Sequence, residues 1–415
     1  MTAAERLRRP ALALTAIVLV AAGARCLALG SSAPVAGVPG PTTPIAGSAG
    51  TGADIVAPAG VTVVAPAAPT GAVVSPPASI ASNCSVDVAP ALQAWIDSVP
   101  DNSTLRLGAN ACYRSDESIR LVNRHRILID GNGATLKAMT QGGRGRSQLA
   151  LSGGADLTVR NLITRGANPR AGANAAAYNP SLEAQHGFVI GGATNVLLDH
   201  VQAFDTYGDF VYIGPGLRQD GLSRAVTVAN SRFDRSGRQG ISITAGVDID
   251  IEANTIADVA RSIFDIEANV VNTQIRNVRI SGNVTGAAVN FWLADKGYPA
   301  DIGNVQIVGN RMAATTGGLI FVYTINHAYR GPFVVARNQF IANDAINDEG
   351  STGAFVFAHA TEVTISDNDV TFPSGKDMPA VELRDAHHVE ITGNHFAGAG
   401  RTVIASDGST DIHSA

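Results

Sequence analysis

The sequence predicts an all-β chain: a right-handed parallel β-helix, a solenoid of stacked strands with a short N-terminal capping helix. Three observations predict it. The first is a repeated phrase, two apolar residues flanking any residue and followed shortly by Asn. It occurs as Val226-Thr-Val-Ala-Asn230, Ile249-Asp-Ile-Glu-Ala-Asn254, Val278-Arg-Ile-Ser-Gly-Asn283, Val305-Gln-Ile-Val-Gly-Asn310, Val334-Val-Ala-Arg-Asn338, Val363-Thr-Ile-Ser-Asp-Asn368 and Val389-Glu-Ile-Thr-Gly-Asn394. Successive Asn positions differ by 24, 29, 27, 28, 30 and 26 residues, the range of solenoid repeats. The second is that each copy pairs two short alternating strands, as in Val226-Thr-Val with Ile241-Ser-Ile and Ile249-Asp-Ile with Phe264-Asp-Ile. Neither a sustained 3.6-residue period nor Leu-x-x-Leu-x-Leu is present. The third is composition: 44 Gly and only 5% aromatic residues suit a narrow aliphatic core with frequent turns.

The elements follow in chain order. Arg6, Arg8 and Arg9 precede an apolar run from Ala11 to Ala24, the pattern of an export signal and short for a membrane span. Residues 1–28 are read as that signal, and an uncleaved anchor is the alternative. Residues 29–82 are rich in Ala, Pro and Gly and are read as a disordered linker. The folded domain is placed at 83–415, with 83–136 as cap and first strands. Asp87 is the expected N-cap of a helix whose buried face is Leu92, Trp95 and Ile96. A cap is needed because the first rung of a β-helix leaves backbone groups unpaired. Removing Cys26 with the signal leaves Cys84 and Cys112, which are expected to pair in an oxidising compartment; two buried thiols are the alternative. The predicted location is therefore secreted or cell-envelope, with no membrane contact after cleavage. A net charge of −5 without a basic tract gives no case for nucleic acid.

From Asn83 onward the repeated phrase and its turns resemble the pectin-lyase-like superfamily of right-handed β-helices, over about four-fifths of the chain. That resemblance implies a polysaccharide partner, since pectate lyases, polygalacturonases, alginate lyases, epimerases and phage tailspikes share the scaffold. Catalytic motifs match less well. Gly208-Asp209-Phe210 is similar to the polygalacturonase Gly-Asp-Asp, with Phe210 at the second Asp. Asn195-Val-Leu-Leu-Asp199-His200 is similar to the pectate lyase Trp-Ile-Asp-His rung, with Leu197 at the Trp. His200 falls at the repeated Asn position, so a structural role is expected for it.

Strand alternation then gives outward columns. Tyr212, Ser242, Asp265 and Asn290 form one; Gly214, Thr244, Glu267, Trp292 and Tyr323 form the next. One step ahead of the strand, His186, Asp209, Gln239 and Ser262 stack, beside Gln185, Gly208, Arg238 and Arg261. The candidate catalytic residues are His186, Asp209, Asp265 and Glu267. Tyr212, Arg238, Gln239, Arg261, Asn290, Trp292 and Tyr323 are the candidate substrate contacts, through ring stacking and Arg pairing with uronate carboxylates. Two chemistries stay open. Hydrolysis uses a carboxyl pair such as Asp265 and Glu267. β-Elimination uses His186 or an arginine as base, with a cation or Ca²⁺ on the uronate. No cofactor and no dedicated metal motif is predicted. A non-catalytic glycan-binding or envelope β-helix is the rival reading, in which the arginines simply pair with neighbouring carboxylates.

Overall fold

The computed structural model describes residues 60, 62–216, 221–286, 288–295, 299–313, 320–324, 328–341, 353–372, 379–406 and 408–415, with the backbone alone at 175, 288–295 and 313. The signal placed at residues 1–28 and the linker up to residue 59 lie outside them.

Every strand pairing among the described residues is parallel, between an element and its counterpart one coil later. Among the described residues one sheet has 13 strands and the other 22. The larger sheet is two faces joined into one, because the 12-residue strand Thr255–Ile266 belongs to both. The coil thus has three faces. The first carries the repeated phrase: Val226 pairs with Ile249, which pairs with Val278, then Val305. The third carries the predicted site: Phe188 pairs with Val211, then Ile241, then Phe264. Alternation decides which side chains enter the core. Val226, Val228, Ile249, Ile251, Val278 and Ile280 are all 0% exposed, and Phe188, Phe233 and Phe264 are among the largest fully buried side chains.

The helix Ala89–Ser98 closes the N-terminal end with Ala89, Leu92, Trp95 and Ile96 buried. Val88 is its N-cap, but the expected Asp87 supplies the bond, accepting from the Ala89 N–H at 3.0 Å. Gln93 donates to the Arg120 carbonyl (2.9 Å) and accepts its N–H (2.8 Å), so a helix side chain satisfies the edge backbone of the first third-face strand. The Cys84–Cys112 disulfide is formed, with a Cα separation of 5.0 Å. A strand pairing also lies on the N-terminal side of Asn83. Val73–Val74 is a strand on Thr104–Leu105, too short to show an alternation in sequence.

The corner after the first face holds two columns where the sequence shows one. The ladder proper is Asn254, Asn283, Asn310, Asn338, Asn368 and Asn394. Each backbone N–H from Asn254 to Asn368 donates to the next Asn's Oδ1 at 2.9–3.0 Å. Each Nδ2 also donates to a first-face carbonyl, as Asn310 does to Ile280 at 2.9 Å. Asn230 is not a member: Ser231 takes its place and donates its N–H to Asn254 Oδ1 at 3.0 Å. Asn230 instead sits one residue earlier with φ 51°, in the left-handed position that Ala253, Gly282, Gly309, Arg337, Asp367 and Gly393 occupy on later rungs. His200, at φ 52°, belongs to that outer column too. The one-residue slip at Asn230 is this difference between corner residue and ladder residue; the slip at Asn338 comes from counting from Val334, where the inward residue paired with Val305 is Phe333.

Candidate active site

The third face begins each rung with a bend, and there the predicted column is real. His186, Asp209, Gln239 and Ser262 are 7%, 0%, 6% and 2% exposed. They form a second ladder. The Asp209 N–H donates to His186 Nδ1 (3.0 Å), the Gln239 N–H to Asp209 Oδ1 (3.1 Å), and the Ser262 N–H to Gln239 Oε1 (2.7 Å). His186 therefore carries its proton on Nε2. Its 3.4 Å approach to Asp209 Oδ2 is a contact between two acceptors rather than an ion pair. Burial, with help from the Arg238 charge, lowers the ring to about 4 despite Asp209 and Glu183, so it is neutral at pH 7. It stacks on Tyr212 at 4.9 Å.

Asp209 is fully engaged. Arg238 Nη1 reaches its two oxygens at 3.0 and 2.8 Å. Burial opposes the guanidinium charge, but Asp209, Asp265 and Glu183 outweigh it and hold Arg238 above its ordinary value. Arg238 Nε also lies 3.7 Å from Glu183 Oε2, an oxygen that accepts from the Tyr178 hydroxyl at 2.7 Å. Both residues belong to the segment 166–187, which folds over the bends. That segment lies so close that a Cβ on Gly208 would meet the Glu183 carbonyl at 2.4 Å. Arg261, exposed, lies 5.0 Å over the Tyr178 ring.

Two rungs beyond Asp209, Asp265 projects outward from Thr255–Ile266 and is 4% exposed. Burial, then the charge of Glu267, pushes its carboxyl up to about 7; Arg238 and Arg261 pull the other way. Ser242 Oγ donates to Asp265 Oδ2 at 3.4 Å. Glu267 is half-buried and continues the strand, its N–H donating to the Ile243 carbonyl at 3.1 Å. Thr244 donates to the Tyr212 hydroxyl at 2.8 Å, and burial raises that phenol above its usual value. Among the described residues no group of three or more His, Cys, Asp or Glu is placed to hold a metal ion.

A sequence model described as "Right handed beta helix region" matches residues 215–396. The chain has the right-handed parallel β-helix fold. Among solved structures of this fold, it is similar to the Streptococcus pneumoniae surface protein and adhesin PfbA, at 13% identity and TM-score 0.54 over 79% of this chain and 97% of that one. It is similar to the endo-xylogalacturonan hydrolase of Aspergillus tubingensis at 14% identity and TM-score 0.53, covering 82% and 96%. It is also similar to the polygalacturonase of Erwinia carotovora at 13% identity and TM-score 0.52, covering 83% and 99%. At these identities the likeness is one of fold. No curated protein matches the sequence.

Within this β-helix, His186, Asp209, Tyr212, Arg238, Gln239, Arg261, Asp265 and Glu267 lie together along the third face. Register is lost one rung later. Two extra residues in Thr255–Ile266 shift the pairing, so Ser262 pairs with Asn290 and Asp265 with Trp292. Trp292 thus stands in the column of Asp265 and pairs onward with Phe321; the column of Tyr323 takes Ala294. The side chains of Asn290 and Trp292 lie outside the described residues. Tyr323 is two rungs beyond Asp265, near Phe321 and His359 at 6.0 and 6.3 Å between ring centres. Tyr178 and Glu183 went unnoticed in the sequence. They sit in a bend with no period, and the only hint is the unusual length of that bend.

Proposed function

We propose that this protein is a polysaccharide hydrolase whose acid–base pair is Asp265 and Glu267, acting on a uronate-containing chain. One observation carries the reading: a buried carboxyl pushed up to about 7 beside a second, more exposed carboxyl just past the end of the same strand. Glycoside hydrolysis calls for a carboxyl that keeps its proton near neutral pH and a second carboxyl close by. Asp265, protonated near neutral pH, donates to the leaving glycosidic oxygen. Glu267 acts on the other side of the anomeric carbon, as base toward water or as nucleophile. Arg261, exposed above Tyr178, is the cation available to a sugar carboxylate; Arg238 is held by Asp209 and positions the bend. His186 is a weak candidate for the base of an elimination, because its Nδ1 is taken by a backbone amide and its proton affinity is low. The similarity to polysaccharide-degrading β-helices is consistent with this choice of substrate, as an analogy of fold.

The second reading is a non-catalytic glycan binder. The observation favouring it is that His186, Asp209 and Gln239 serve the scaffold. A screen against galacturonan, alginate, glucuronan and neutral glycans separates the readings, with reducing ends and unsaturated-uronate absorbance followed together. Reducing ends alone are expected, with Asp265→Asn and Glu267→Gln each lowering the rate on the order of a hundredfold or more. Absorbance rising with reducing ends would mean elimination. Activity that survives both substitutions would remove the pair from the mechanism.

A further inference from the structure

A groove of about 450 Å³ runs along the corner between the first and second faces, away from the acid pair. That volume is within the range of ligand sites. One wall is the outer corner column Asn110, Asn132, Asn161, His200 and Asn230, held at φ 51–53° from rung to rung. The other is the column Ile163, Gln202 and Arg232, paired in register across three rungs. Val201, buried, lies at the floor. Asn is common in left-handed corners for backbone reasons alone. Here the backbone does not require it, since Gly282, Gly309 and Gly393 hold the same corner on later rungs. The amides are confined to the rungs that line the groove.

The chemistry selects an occupant. An amide offers both donors and acceptors, which matches a sugar hydroxyl that also does both. Five rungs at about 4.8 Å set these groups out over roughly 19 Å. An extended peptide advances about 3.3 Å per residue and falls out of step with that spacing, whereas a pyranose unit is about one rung long. Among the described residues lining the groove Arg232 is the one formal cation, too few for a nucleic acid backbone. We propose that this groove binds a glycan strand laid along the helix axis, as a second saccharide site without catalytic groups. It does not rest on hydrolysis at Asp265.

Calorimetric titration with hexagalacturonate, hexamannuronate and cellohexaose tests it on the full chain. Asn132→Gly with Asn161→Gly removes two amides while keeping a residue suited to the corner; Gln202→Ala with Arg232→Ala removes the facing wall. Each pair is expected to weaken binding of at least one hexamer tenfold or more, with an unchanged thermal midpoint. The groove component should persist in Asp265→Asn, so a failed hydrolase reading would leave this result standing. Wild-type affinity in both pairs for every hexamer bound, or no hexamer bound by the wild type at millimolar concentration, would overturn the proposal.

Discussion

The two side-chain ladders solve one problem with different chemistry. Both intercept a backbone amide where the coil bends and no strand partner exists. From Asn254 to Asn394 the acceptor is always an amide, which donates in turn to a first-face carbonyl. The column sustains itself and is electrically neutral. On the third face the acceptors are an imidazole, a carboxylate and an amide, and they face the other way along the axis: each accepts from the rung that follows. Asp209 brings a charge that a neutral ladder does not need. It imports Arg238, which holds Glu183, which holds Tyr178. The heterogeneous ladder thereby anchors a long bend beside Asp265 and Glu267, which the Asn ladder does nowhere among the described residues.

The largest test of this difference is Arg238→Ala. It strands a carboxylate with no solvent exposure, a loss of about 3–5 kcal/mol for a broken buried pair. Asn310→Ala strands neutral groups only, at about 1–3 kcal/mol for each one that cannot relax. Urea unfolding should show a clear loss for both, larger for Arg238→Ala. If Arg238→Ala loses less than about 1 kcal/mol, the charged ladder is decoration and Arg238 returns as a free substrate contact.

A smaller effect is the pH dependence, which only the third-face ladder has. An unfolded His186 takes a proton below 6.5, while the folded one waits until about 4. Unfolding therefore takes up a proton in that window, and stability is lost as pH falls from 6.5 toward 4, by on the order of 3 kcal/mol. Asp265 has the opposite sign. Folded, it keeps its proton up to about 7; unfolded, it loses it above 3.8. Unfolding releases a proton between these values, so stability is lost as pH rises through them. His186→Gln should flatten the acid limb while keeping the ladder, since Gln239 fills the same column. Asp265→Asn should raise the thermal midpoint above pH 7. Acid limbs of equal depth in wild type and His186→Gln would contradict the burial assigned to His186.

The Asn ladder was legible because it repeats one residue type at a fixed place, and inward pairs such as Ile249 and Ile251 were legible because alternation and burial coincide. The third-face column was legible only as position. His186, Asp209 and Gln239 are chemically unlike, and no sequence pattern says that each accepts a main-chain amide. His186 and Asp209 therefore read as catalysts and Gln239 as a substrate contact, while the main-chain bonds that all three accept stay hidden. The register of Trp292 was lost because two extra residues inside Thr255–Ile266 leave the strand pattern unbroken. Tyr178 and Glu183 reach the site through a bend whose course is set by packing.

The smallest expected effect separates the two columns that the sequence merges. Asn230 and Asn254 look like the same residue of successive repeats, each following an apolar pair. In the folded chain Asn254 is 0% exposed and its Nδ2 bonds to both the Val228 carbonyl and Asn283 Oδ1. Asn230 is only half-buried, and its backbone lies where glycine is at ease. Its side chain does bond to Asp199 at 2.8 Å, a contact near solvent that water can replace. Asn230→Gly should then change stability by no more than about 0.5 kcal/mol, whereas Asn254→Gly should cost about 2 kcal/mol or more through its stranded partners. Equal losses in urea unfolding would mean that the outer column bears as much weight as the ladder, and that the corner is held by both.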